Sequence, residues 1–592
     1  MRNKGGGASP GRTSVIQRES SGKKLIEQSR VRLFCITAFF FLFYGAITCR
    51  LIEVMLMRHH EAEPVQASIP AARTDEQMLE EASAPLKLSR GDIVDRNGVL
   101  LATTLSTESL FANPGDLRDP QDAARRLAQI FPEIDAKELA KKLSRDNSFV
   151  WIKRNLTPRE QRAANNLGIP GLYFQPEQRR IYPHGNLLSH LLGFVGVDQK
   201  GLAGVERYFD GRLRDTDQKD PLQLSVDLRV QNIVHEELKE GMHHFGAIGA
   251  TGIVLDLHSG EVLALSNLPD FDPHQAGTAV EASRFNRASL GVYEMGSTFK
   301  TFTTAMALDY GIANMNDSFD ATHPIQYAHY TIRDAHPMNK WLTIPEIYAY
   351  SSNVGTVRMA MNIGTERQQA FLKKLGLMEP LKIELPAPEV ATPHYPEPDD
   401  WHEINMMTIA YGHGMSVTPL HLVRAISSIV NGGTLEPMTL VKGGNAEKGK
   451  GPRIVSEKTS RQMCRLMRMV VEYGTGKKGD VPGYRVGGKT GTAEKAMGGG
   501  YSHNAKLALF VSTFPVDDPK YVILVMIDEP KGTKETAGFA TGGWISAPIV
   551  SNIISRMAPM YGVRTEYDIP EDAVNRYWVN NANQKFLHAA SY

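Results

Sequence analysis

The chain has 592 residues, 66 of them lysine or arginine and 65 aspartate or glutamate, for a formal charge of +1. That length implies about two to four domains with ample core, and the balanced charge speaks against a nucleic-acid binder held by phosphate neutralisation. A hydrophobic share of 42% beside 22% charged residues excludes a mostly disordered chain and a multi-spanning transporter. The three cysteines, Cys35, Cys49 and Cys464, exclude a disulfide scaffold or a Cys-rich metal site.

In chain order, the first feature is the run from Leu33 to Cys49, which contains no charged side chain. At about 1.5 Å per residue, a helix here covers most of a roughly 30 Å hydrocarbon layer, and it can extend toward residue 56 if Arg50 snorkels. Arg and Lys dominate the residues before it, so the positive-inside rule predicts a cytoplasmic tail over 1–32, a membrane anchor over 33–56 and everything else outside. A cleaved signal peptide would need a small-residue site after the apolar run, where Thr48-Cys49-Arg50 stands; a buried core helix would show a polar face. Cys464 then becomes the lone external thiol. Residues 57–84, rich in Ala, Glu and Pro, read as a spacer.

Order is expected to resume at Arg90-Gly-Asp-Ile-Val-Asp-Arg-Asn97-Gly98, where Asn-Gly predicts a type I′ hairpin turn with positive φ at both central residues. Helices are predicted near 120–131, 135–144 and 157–166, with a strand-like piece at 149–152, and no convergent polar cluster is legible over 85–220. Residues 221–562 have a different texture. An amphipathic helix near 231–244 precedes strands at 252–257 and 261–266, and further strands follow only at 507–514 and 521–528, before a last helix near 544–557. Strands from both ends of this segment predict one sheet closed by its two termini around a helix-rich middle, an α+β domain. The tail over 563–592 is polar and Asn-rich.

Three motifs fall in this second segment. Ser297-Thr-Phe-Lys300 follows Gly296 and opens an apolar-periodic stretch, which places the hydroxyl and the amine one helical turn apart. A serine needs a base to become a nucleophile, and a lysine serves only if burial or neighbouring charge lowers its pKa. The second motif is Ser351-Ser-Asn353, a hydroxyl and an amide from one loop. Lys489-Thr490-Gly491-Thr492 follows much later in a strand-like context. Alone, Ser-x-x-Lys is weak, since Ser21-Gly-Lys-Lys24 also satisfies it. The ordered set of three matches the pattern of class A β-lactamases and penicillin-binding proteins.

With Arg90 to Gly98, Arg180-Ile-Tyr-Pro183, Gly201-Leu-Ala-Gly-Val-Glu206, Asn286-Arg-Ala288 and Gly414 to Leu420, the sequence resembles the class B penicillin-binding proteins over about residues 90 to 548. Among them it looks most like the septal D,D-transpeptidases of cell division. The resemblance implies a penicillin-binding transpeptidase fold, an antiparallel sheet with a helix-rich subdomain, behind a smaller mixed α/β pedestal and one transmembrane helix. It further implies Ser297 as nucleophile, Lys300 as base, Ser351 as proton relay, Asn353 and Lys489 as further catalytic groups, and Thr490, Gly491 and Thr492 as substrate-binding. Implied ligands are peptidoglycan stem peptides ending in D-Ala-D-Ala and β-lactams, and implied partners are a multi-spanning glycan polymerase and other division proteins, in the inner membrane at the septum. No cofactor, metal or nucleic acid is expected, and His323, His329 and His336 lack ligand-like spacing. Met295 and His413 depart from the family, which commonly has Pro and a bulky aromatic there; His413 reads as a loop-packing residue. The competing readings are an elongation-type transpeptidase, a β-lactamase or penicillin sensor, and a non-catalytic division scaffold.

Overall fold

The computed structural model describes residues 90–565, apart from 146–148, 216, 218–219, 446–450 and 498–499, together with a few residues between 40 and 48. The expected cytoplasmic tail over 1–32, the spacer over 57–84 and nearly all of the anchor over 33–56 and of the polar tail lie outside the described residues. Among the described residues no helix is long and apolar enough to cross a membrane.

β1 (Ile93–Val94) turns back into the long β2 (Leu100–Ala112). The turn differs from the expected type I′. Gly98 has φ +86°, but Asn97 stays out of the left-handed region. Asp95 supplies the reason: its carboxylate accepts the Asn97 and Val99 N–H groups at 2.7 and 2.8 Å, a side-chain turn that needs one positive φ only. After α1 (Pro120–Ile130) and α2 (Ala136–Leu143) come β3 (Val150–Leu156), α3 (Pro158–Asn165) and β4 (Leu172–Ile181). β2 is the hub of this sheet, pairing antiparallel with β1, β3 and β4, while β1 also pairs in parallel with β5 (Leu222–Gln223). Asp119, Asp135 and Thr157 cap the three helices, whose apolar faces meet the sheet through Leu110, Leu127, Phe131, Leu139 and Leu156.

Where the sequence shows no convergent polar cluster over 85–220, the structure has one. Arg90 Nε donates to Glu206 Oε2 at 2.6 Å, Arg180 Nε to Glu206 Oε1 at 2.7 Å, and Arg90 Nη1 to Asp210 Oδ1 at 2.6 Å. The Arg90, Arg180 and Glu206 side chains are essentially fully buried. One carboxylate between two guanidiniums thus clamps three stretches that the sequence keeps up to 116 residues apart.

The second sheet is built from β6 (Gly249–Asp256), β7 (Val262–Leu268), β8 (Gly487–Met497), β9 (Gly500–Phe514) and β10 (Tyr521–Asp528), in the order β8-β9-β10-β6-β7 and antiparallel throughout. The two ends of the segment therefore meet at the β10 to β6 pairing, as the strand positions predict. All of β10 is buried. Ile523, Val525 and Ile527 point to a core shared with α4 (Leu228–His244) and the last helix, α9 (Ser546–Met557). Val522, Leu524 and Met526 point the opposite way into the helix-rich middle. Each such side chain contributes about 1.5–3 kcal/mol of burial, and cover on both faces explains why these strands read as continuous apolar runs. The middle holds α5 (Lys300–Asp309), α6 (Asn353–Ile363), α7 (Pro419–Val430) and α8 (Glu457–Glu472). It lies against β8, the edge strand that carries Lys489.

Candidate active site

The approach to Ser297 is shaped by two glycines. Gly296 has φ +51°, and a Cβ there would lie 2.6 Å from the Thr492 carbonyl oxygen; Gly412 has φ +96°, and its Cβ would lie 1.8 Å from the Gly296 carbonyl oxygen. The chain thus threads between β8 and the 412 loop where side chains do not fit. Residues Tyr293–Glu294 just before it pair with Ser416–Val417, and Gly414 N–H donates to Glu294 Oε1 at 2.7 Å, which fixes that loop. Ser297 was expected to open the α-helix. It sits instead on a 3₁₀ turn, Gly296–Phe299, that runs into α5 at Lys300. Three residues per turn stack positions i and i+3, and Lys300 Nζ lies 3.0 Å from Ser297 Oγ.

The second hydroxyl comes from the helix Ile344–Ala349, which starts at a Thr343 to Glu346 capping box with Pro345 in its first turn. Ser351 follows in the left-handed region at φ +61°, a strained placement for a non-glycine residue of the kind found at active sites. Its carbonyl oxygen accepts Lys300 Nζ at 2.6 Å, and its Oγ lies 3.0 Å from Lys300 Nζ and 2.9 Å from Lys489 Nζ. Asp334 pins the start of α6, accepting Ser352 Oγ at 2.8 Å and Val354 N–H at 2.9 Å.

The third element is the β8 edge. Lys489 is fully buried, with Nζ 5.7 Å from the centroid of the Tyr348 ring. The Tyr348 hydroxyl is 2.8 Å from Thr301 Oγ1 on α5, one residue after Lys300. Thr490 Oγ1 meets Thr475 Oγ1 at 2.7 Å, and Thr492 Oγ1 accepts Gly542 N–H at 3.2 Å. A Cβ at Gly491 would lie 2.8 Å from the Met295 carbonyl oxygen, so glycine lets the strand close on the Ser297 turn. The structure therefore joins Ser297, Lys300, Ser351 and Lys489 in one chain of contacts and sets Thr490, Gly491 and Thr492 along its edge. Asn353 stands beside that chain: its amide donates to the Arg333 carbonyl at 2.8 Å.

Burial holds the Lys300 amine down to about 7, while the Asp334 carboxylate pulls the other way. Burial, and then the charge of Lys300, hold Lys489 well below the ordinary lysine value. Two buried amines around one serine hydroxyl cannot both hold a proton cheaply, so at neutral pH a substantial share of Lys300 is a free base, able to accept the Ser297 proton. Asp334, Tyr348 and Thr475 support the site without any motif to announce them. His413 packs its ring on Tyr411, centroids 5.1 Å apart, and burial lowers its pKa. Cys464 is buried, which pushes its thiol up to about 12. Among the described residues no group of three or more His, Cys, Asp or Glu could hold a metal ion.

Residues 250–555 match the penicillin binding protein transpeptidase domain, and residues 85–243 the penicillin-binding protein dimerisation domain. The chain is 40% identical to the probable peptidoglycan D,D-transpeptidase FtsI of Caulobacter vibrioides over 492 residues, covering 81% of this chain and 83% of that one. It is 34% identical to the probable peptidoglycan D,D-transpeptidase PenA of Neisseria gonorrhoeae, covering 81% and 85%. The crystal structure of a peptidoglycan synthetase from Bifidobacterium adolescentis superposes with a TM-score of 0.62 at 25% identity, covering 81% of this chain and 96% of that one. With its two matched domains in that order and a relative 40% identical over most of both chains, the chain belongs to the class B penicillin-binding proteins.

Proposed function

We propose that the protein is a serine D,D-transpeptidase that cross-links peptidoglycan stem peptides at the division septum. The contact chain from Ser297 through Lys300 and Ser351 to Lys489 carries this reading, and the relatives named peptidoglycan D,D-transpeptidases support it. Ser297 Oγ attacks the carbonyl carbon of the penultimate D-Ala while Lys300 takes its proton. The N–H groups of Ser297 and Thr492 hold the oxyanion; one such donor is typically worth about 10²–10³ in rate. The tetrahedral intermediate collapses as the terminal D-Ala amine leaves with a proton passed from Lys300 through Ser351. The amine of a second stem peptide then attacks the Ser297 ester, returns its proton along the same path, and frees Ser297 with a new cross-link formed. Lys489, Thr490 and Thr492 receive the terminal carboxylate of the donor peptide or of a β-lactam, Gly491 allows the close approach, and Asn353 binds the donor's backbone amide.

An amine must outcompete water in the second half-reaction. Asp334, the carboxylate whose charge reaches Lys300, accepts hydrogen bonds from Ser352 Oγ and Val354 N–H, which tie it to the start of α6. The further organisation belongs to the same proposal: cytoplasmic residues 1–32, one inner-membrane span over 33–56, an extracytoplasmic spacer over 57–84, a pedestal over 85–220, the transpeptidase over 221–562 and a tail over 563–592. Glycan polymerisation falls to a multi-spanning partner among the division proteins. Incubating the full-length protein in detergent with pentapeptide-bearing glycan tests the reading. Cross-linked dimers and free D-Ala are expected; rapid turnover of a chromogenic β-lactam without cross-linked product would instead make the protein a β-lactamase.

A further inference from the structure

The proposed reaction asks opposite things of two amines around one hydroxyl. Lys300 has to be a free base to take the Ser297 proton, and Lys489 has to be an ammonium to meet a carboxylate. Yet their Nζ atoms lie 3.0 and 2.9 Å from the same Ser351 Oγ, and both side chains are buried. Their neighbours differ. Lys300 reaches two hydroxyls, Ser297 Oγ and Ser351 Oγ, either of which can donate to the lone pair of a neutral amine, beside the Ser351 carbonyl oxygen at 2.6 Å. Lys489 meets the Ser351 hydroxyl, the Thr490 carbonyl oxygen at 3.3 Å and the face of the Tyr348 ring, whose centroid is 5.7 Å from Nζ. A carbonyl oxygen and a ring face take a hydrogen bond but cannot give one. They suit the three N–H groups of an ammonium better than the lone pair of an amine.

The ring is fixed in that place. Tyr348 is fully buried on the Ile344–Ala349 helix, and its hydroxyl is tied to Thr301 Oγ1 on α5 at 2.8 Å. Burial pushes the phenol well up, so Lys489 meets a neutral π face and not a phenolate. The charged groups nearby do not favour Lys489. The Asp334 carboxylate, shared with Ser352 Oγ and Val354 N–H, favours the ammonium on Lys300, and the Lys300 charge in turn opposes one on Lys489. His413, which feels Glu294, Lys300 and Glu494, is held toward its neutral form by burial, as is the Cys464 thiol beside Tyr348. Without the ring, the nearest carboxylate would draw the shared proton to the wrong amine. We infer that Tyr348 is a positioning residue for that proton: its ring face keeps the ammonium on Lys489 and so leaves Lys300 the free amine that Ser297 needs. This inference rests on the transpeptidase reading and adds to it the group that sorts the two lysines.

The test changes the electronics of the ring while keeping its shape. Full-length protein is prepared as wild type, as Tyr348→Phe, as Tyr348→Leu and with pentafluorophenylalanine in place of Tyr348, which fills the same space but withdraws electron density from the ring face. Thermal melts confirm folding; should the leucine variant fail to fold, the fluorinated protein carries the test. Acylation rates are measured by stopped flow across about pH 5 to 9, with benzylpenicillin and with its uncharged methyl ester. Tyr348→Phe is expected to keep the wild-type midpoint, whatever its plateau rate. The fluorinated and leucine proteins are expected to move the midpoint up by about half a pH unit or more, because the proton returns to Lys300. Their preference for the free acid over the ester is expected to fall about threefold or more, because Lys489 loses charge. A fluorinated protein with the midpoint and preference of Tyr348→Phe would overturn the inference, as would Tyr348→Phe shifting as far as the fluorinated protein. A wild-type rate flat with pH would instead remove Lys300 as the base, and the transpeptidase mechanism would fail before Tyr348 is reached.

Discussion

Replacing Lys300 by methionine separates what the site costs from what it does. The lysine is fully buried and its amine is lowered from 10.5 to about 7, and each tenfold loss of proton affinity is about 1.4 kcal/mol. Holding the ammonium form in the fold therefore costs about 5 kcal/mol. Below about pH 7 the folded and unfolded chains both carry the proton, and the whole cost stands. Between about 7 and 10.5 only the unfolded chain carries it, so the wild type gains stability as pH rises through this window. Against this, methionine forfeits the contacts to Ser297 Oγ, Ser351 Oγ and the Ser351 carbonyl, at about 1 kcal/mol each, while removing the Lys300 charge relieves Lys489. Lys300→Met is thus expected to be about 1–3 kcal/mol more stable at pH 6, a rise of a few degrees in Tm, with the advantage lost between about pH 8 and 9 and reversed by pH 10, and with penicillin labelling lost. Differential scanning fluorimetry across pH, with fluorescent-penicillin gels alongside, reads both. A variant that melts below the wild type at pH 6, or that still takes the label, refutes the reasoning.

The pH dependence of acylation follows from the same group: with the free base required and Lys300 at about 7, stopped-flow acylation rates should rise about tenfold from pH 6 to pH 8 and then level off; a profile flat across that range would remove Lys300 as the base. Glu206→Gln leaves the buried Arg90 and Arg180 short of a counter-charge and should cost about 3–5 kcal/mol in denaturant melts, whereas a loss under 1 kcal/mol would mean that the cluster does not hold the sheet. Gly412→Ala forces a Cβ to within 1.8 Å of the Gly296 carbonyl oxygen at φ +96°, so acylation should fall at least about tenfold through displacement of the Ser297 turn; an unaltered rate would show that the loop yields freely.

The meeting of the site residues was legible in the sequence wherever a motif is local. Ser297 and Lys300 lie three apart, and the order of the three motifs was enough to name Ser351 and Lys489 before their hydroxyl and amine were seen 2.9 Å apart. The closure of the second sheet was legible because strands doubly covered by helices stand out as apolar runs at both ends of the segment. Tertiary supports were not. Asp334, Tyr348 and Thr475 reach the site only through the fold, and Arg90, Arg180 and Glu206 were visible as separate stretches with nothing in spacing or period to say that they meet. Turn details were decided by neighbours: Asp95 replaced the expected type I′ turn, and the squeeze between Gly412 and Thr492 accompanies the 3₁₀ turn on which Ser297 sits.

The central claim is that a buried amine arms the Ser297 hydroxyl. Peptide mapping by mass spectrometry, after brief exposure of the full-length protein to benzylpenicillin, tests it most directly. A single penicilloyl adduct on the peptide containing Ser297, absent from a folded Ser297→Ala variant, is the predicted result; an adduct that persists in that variant, or that maps to another serine, would contradict it.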